Sequence, residues 1–94
     1  MKLRVMVTIR GRVQGVGFRY QCAEEAALHN VSGWVKNLPD DSVRGCFEGE
    51  EEDVLDLVQW CRKGPRGAWV EELKVEEREY TGEFSGFSIR HGGE

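Results

Sequence analysis

An α+β sandwich, with one antiparallel sheet carrying two helices on a single face, is the fold class that this 94-residue chain predicts. Three observations predict it. Apolar residues alternate with polar ones in several short stretches and recur at helical spacing in two others. The elements run strand, helix, strand, strand, helix, strand, with one short strand more. A Pro-Asp-Asp-Ser turn joins the second and third strands as a hairpin.

Leu3, Val5, Val7 and Ile9 alternate with Lys2, Arg4, Met6, Thr8 and Arg10, which is a strand with one buried face. The glycine-bearing stretch Gly11-Arg12-Val13-Gln14-Gly15-Val16-Gly17-Phe18-Arg19 ends it. Phe18, Cys22, Ala23, Ala26, Ala27 and Asn30 then follow helical spacing, and Asn30 is the stop. Alanines on that face let the helix lie close to a sheet.

Residues 31–38 predict the second strand. Val43, Gly45 and Phe47, alternating with Ser42, Arg44, Cys46 and Glu48, predict the third. Glu50-Glu51-Glu52-Asp53 opens a second helix, where the dipole favours acids; Val54, Leu57, Val58 and Cys61 line its inner stripe, and Arg62-Lys63-Gly64-Pro65 ends it. Residues 69–80 form a charged strand suited to a sheet edge, and 83–91 a last short one. Residues 1–91 make one domain and Gly92-Gly93-Glu94 a tail. This order is the split βαβ, ferredoxin-like βαββαβ pattern.

Composition narrows the function. Thirteen basic and seventeen acidic residues leave a net charge of −4, which argues against a nucleic-acid binder working by phosphate neutralisation. Yet residues 1–20 carry Lys2, Arg4, Arg10, Arg12 and Arg19 and no acid, a local basic end suited to a small anion. No apolar run approaches a membrane span and no signal-peptide block opens the chain, so a cytoplasmic protein without a membrane partner is expected. Cys22, Cys46 and Cys61 are an odd set without metal spacing and read as buried free thiols, a disulfide being the minority alternative. His29 and His91 show no carboxylate or cysteine companions at ligand spacing, so no metal site is expected.

The loop at 11–19 carries the chemistry. Glycines turn the backbone so that successive N–H groups can share one concavity, and the helix behind adds its first-turn donors. Arg19 can clamp a phosphate with two parallel bonds. A nucleotide loop would need Lys and Ser or Thr where Phe18-Arg19-Tyr20 stand. A dinucleotide loop needs another glycine spacing. A cysteine phosphatase would need its nucleophile six places before Arg19, where Val13 stands. What survives is phosphate held without nucleophile, metal or general acid. Such a site suits an acyl phosphate, whose leaving carboxylate needs no proton. Asn37, at the end of the second strand, has an amide that could place the attacking water.

Gly11 to Arg19, followed by Gly33-Trp34-Val35-Lys36-Asn37, closely resembles the paired signatures of the acylphosphatase family. The likeness continues through Asp40, Ser42-Val43, Gly49, Trp60, Gly64-Pro65, Ala68, Val70 and Phe87-Ser88-Ile89. The resemblance implies a metal-independent hydrolase of small acyl phosphates, needing no cofactor, with inorganic phosphate as product and competitor. It also implies that Arg19 binds the phosphate and Asn37 orients the water, while the backbone of Gln14, Gly15, Val16, Gly17 and Phe18 forms the cradle. A monomer is expected. Asp41 stands where the family commonly has Gly before Ser-Val; a φ above zero there would cost on the order of 1 kcal/mol. Two rival classes remain. An RNA-binding sheet would need aromatics on the first and third strands, and only Phe47 qualifies. A sensor binding acyl phosphate without turnover would share the loop.

Overall fold

The computed structural model describes residues 1–91; the predicted tail lies outside the described residues. Strand β1 (Lys2–Arg12) leads through the loop into helix α1 (Phe18–Leu28), followed by β2 (Ser32–Asn37) and β3 (Val43–Glu50). Helix α2 (Glu51–Lys63), β4 (Trp69–Arg78) and β5 (Phe87–Arg90) complete the order. The sheet runs β4-β1-β3-β2-β5. β1 pairs antiparallel with β3 and β4, and β2 antiparallel with β3.

Both helices pack on one face. Leu3, Val5, Val7 and Ile9 of β1 meet Phe18, Cys22 and Ala26 of α1 and Val54, Leu57, Val58 and Cys61 of α2 in a single core. Period-two strands and 3.6-period helices therefore close on each other as the sequence predicts. Helix α1 ends where Asn30 was read as a stop, at φ 57°. Asn30 N donates to Ala27 O at 3.3 Å and Val31 N to Ala26 O at 2.8 Å, a Schellman closure. Val31 is used by that closure, so β2 starts one residue later than predicted.

The sheet is mixed where a wholly antiparallel one is predicted, because β5 lies parallel to β2. The order explains it. β4 is one edge and β5 the other, so residues 79–86 must cross the whole sheet before the chain turns back alongside β2. They do so over the face without helices. Glu48, fully buried there, accepts hydrogen bonds from Thr81 N (2.9 Å), Thr81 Oγ1 (3.1 Å) and Gly82 N (3.1 Å). Arg4 Nη1 stands 3.3 Å from Glu48 and 3.0 Å from Glu83. The predicted strand from Glu83 shortens to Phe87–Arg90 because the preceding residues belong to this strap. β4 is the charged edge strand expected, with exposed Glu71, Glu72 and Glu77.

Candidate active site

The loop leaves β1 and enters α1 through two glycines in the left-handed region, Gly15 at φ 76° and Gly17 at φ 77°. A Cβ at either would meet nothing within 4 Å, so glycine is required there for conformation and not for space. Gly17 is the N-cap residue of α1 and provides no side-chain cap. Phe18 anchors the helix start in the core, its ring 5.4 Å from that of Trp60. Gly64 makes room for that anchor: a Cβ on it would lie 2.9 Å from the Phe18 ring.

The β1–α1 loop and the end of β2 meet at a cavity of about 140 Å³. Val13, Gln14, Gly15, Gly17, Phe18, Arg19, Tyr20 and Asn37 line it. Arg19 and Asn37 are thus brought together with the loop. Val16 does not line the cavity; its side chain packs against the core. Arg19 Nη1 lies 3.3 Å from Nδ1 of His91, just past β5. A guanidinium only donates, so a hydrogen bond here takes Nδ1 as its acceptor. Asn37 closes the β2–β3 ladder opposite Val43. Its Oδ1 is buried, and no donor among the described residues reaches it. An unmet buried amide oxygen costs about 1–3 kcal/mol.

The turn beyond Asn37 is held by Asp40, which accepts from Ser42 N at 3.1 Å, from Ser42 Oγ, and from Arg10 Nη1 at 3.0 Å. Ser42's hydroxyl and N–H, followed by Arg10, bring the Asp40 carboxyl down to about 2. Asp41 takes φ 74°, the strained conformation expected for a residue replacing glycine. Sequence reasoning assigned Gln14 only a backbone role. Its side-chain Nε2 also donates to Leu38 O (2.9 Å) and Ser42 O (2.8 Å). A polar side chain between Val13 and Gly15, where the loop needs none for its turn, was the available signal.

Elsewhere, Cys22, Cys46 and Cys61 are buried free thiols, as read. Burial and then the contact with Cys22 push the Cys61 thiol up. His29 does gain carboxylate companions, contrary to expectation. Ligand atoms of His29, Asp53 and Asp56 lie within 4.8 Å of one another, because the fold sets the end of α1 beside the first turns of α2. Carboxylate oxygens of Glu25 and Asp56 stand 3.8 and 3.9 Å from nitrogens of that imidazole. The RNA-reading alternative loses the one aromatic it had on the first and third strands, since Phe47 is turned fully into the core.

The acylphosphatase family model matches residues 5–89. The chain belongs to the acylphosphatase family. It is 57% identical over 91 residues to an acylphosphatase of Geotalea uraniireducens, covering 97% of this chain and all of that one. The structure of an acylphosphatase from Coxiella burnetii matches with a TM-score of 0.90 at 34% identity, covering 95% of this chain and 93% of that one. The acylphosphatase from Bacillus subtilis also matches at 0.90, with 35% identity, 94% of this chain and 98% of its own. The βαββαβ frame of this acylphosphatase-family chain is therefore the family's frame.

Proposed function

We propose that this chain, an acylphosphatase and hence a hydrolase of acyl phosphates, cuts the carboxyl–phosphate bond by in-line attack of a water held at Asn37. The phosphoryl group sits against the backbone of Gln14 to Phe18, whose N–H groups and helix N-terminus offset its charge. Arg19 supplies a planar double donor to its oxygens. The Asn37 amide, which can both donate and accept, holds the water. The water oxygen bonds to phosphorus as the P–O bond to the carboxylate breaks, and the carboxylate departs with the electron pair, unprotonated. The water's proton passes to the phosphate product or to solvent. The products are a carboxylate and inorganic phosphate.

One observation carries this reading: the glycine loop, Arg19 and Asn37 line one small cavity. A cavity of this size takes the phosphoryl end and leaves the acyl end outside, which favours small, varied acyl phosphates. Three free cysteines suit a reducing, cytoplasmic setting. The acidic β4 edge opposes strand-to-strand association and favours a monomer, with residues 1–91 as its one domain.

Hydrolysis of benzoyl phosphate by three proteins tests the scheme. In Arg19→Ala, both turnover and competition by inorganic phosphate weaken, by about 1.5–3 kcal/mol for a charge-assisted bond. In Asn37→Ala, kcat falls by on the order of a hundredfold while phosphate competes as before. Wild-type kcat in Asn37→Ala would remove that residue from the mechanism.

A further inference from the structure

The two halves of the site come from strands that are not neighbours. β3 lies between β1, which carries the phosphate loop, and β2, which carries Asn37. Two strand spacings, roughly 9–10 Å, separate them, and no ladder joins their ends directly. Placing a water against a phosphorus nevertheless demands accuracy: a 1 Å error costs on the order of a hundredfold.

Gln14 spans that gap. Its carboxamide nitrogen donates to Leu38 O and Ser42 O, so both of its hydrogens are engaged on the turn directly behind Asn37. The same two oxygens close the turn itself, Leu38 N donating to Ser42 O at 2.8 Å and Asp41 N to Leu38 O at 3.2 Å. The loop thus grips the turn at its own hydrogen-bonded neck. A second side-chain tie, Arg10 to Asp40, is about half exposed on both sides and holds weakly.

We propose that Gln14 is a positioning residue for hydrolysis: its side chain fixes the distance between the phosphate loop and the Asn37 amide. The proposal rests on the assignment of Asn37 to the water. Gln14 acts through Asn37 and not on phosphate, so its loss is a loss of kcat.

Two variants are compared with wild type in benzoyl phosphate hydrolysis. Gln14→Glu keeps the shape but turns an oxygen toward two carbonyls, and Gln14→Met keeps the length without a donor. Circular dichroism and urea unfolding select the variants that fold, and Gln14→Met carries the test if the glutamate variant does not. The expected result is a kcat about tenfold lower or more, with the inhibition constant of inorganic phosphate changed less than about threefold. In an Asn37→Ala background the same substitution should cost nothing further, since the group it positions is gone. Wild-type kcat in the folded Gln14 variants, with Asn37→Ala impaired, overturns this proposal and leaves the role of Asn37 standing. A full additional loss on top of Asn37→Ala, or a rise in the phosphate constant matching the fall in kcat, also overturns it. A wild-type rate in Asn37→Ala itself overturns the scheme beneath it.

Discussion

Replacing Glu48 with alanine should cost this domain much of its stability while leaving its chemistry intact. The carboxylate is fully buried and accepts from Thr81 N, Thr81 Oγ1 and Gly82 N, with Arg4 at 3.3 Å. Removing one partner of a buried charge pair costs about 3–5 kcal/mol. Arg4 retains Glu83 at 3.0 Å and Thr81 and Gly82 are exposed, so stranded groups find other partners and the lower figure applies. About 3 kcal/mol is a large share of the roughly 5–15 kcal/mol that folded domains have. At about 4–8 °C per kcal/mol for a domain of this size, Tm should fall by about 12–24 °C. Urea unfolding with linear extrapolation and thermal circular dichroism measure both quantities. Glu48 faces Arg4 near the start of β1, and the cradle lies beyond the other end of that strand, so benzoyl phosphate turnover well below Tm should match wild type. A stability loss under about 1 kcal/mol would refute the reasoning by showing that the strap does not depend on this carboxylate. A fall in kcat would refute the separation of strap from site.

Asp41→Gly should stabilise the β2–β3 turn by on the order of 1 kcal/mol, because φ 74° is a glycine conformation; urea midpoints report it, and a loss instead would mean that the side chain supports the turn. Asp40 should titrate in the folded protein at about 2, against an ordinary value of 3.8, so its contribution to stability is complete above about pH 4 and is lost as pH falls toward 2. Carbon NMR of the carboxyl follows this titration, and Ser42→Ala should move the midpoint upward. Millimolar EDTA should leave hydrolysis unchanged, since the proposed charge partners are amides and Arg19; inhibition reversed by added metal would contradict that scheme.

The local chemistry of the fold was readable residue by residue. Asn30 could be seen as a helix stop because asparagine tolerates the left-handed conformation that a Schellman closure needs, and it takes φ 57°. Strap and strand order were not readable. Period-two alternation says which face a residue takes, not which neighbour its strand will have, so the parallel β2–β5 pairing escaped. Glu48 alternates as an outward residue, which is correct, but outward became buried when residues 79–86 crossed that face. Arg19 and Asn37, expected from residue type together with the paired signatures, line one cavity. The Gln14 bridge was not readable, since Leu38 and Ser42 are 24 and 28 positions away and offer only main-chain oxygens. Nor were Asp53 and Asp56 beside His29, which come from the other helix.

The strap also sets the order in which the site can be completed. The phosphate loop is local to residues 11–19, but the imidazole touching Arg19 is 72 positions further on, beyond a strap that crosses from one edge of the sheet to the other. Such distant closures come late in folding because chain entropy opposes them until the rest has condensed. The loop is built from near neighbours in sequence, while its arginine meets His91 only once β5 lies beside β2.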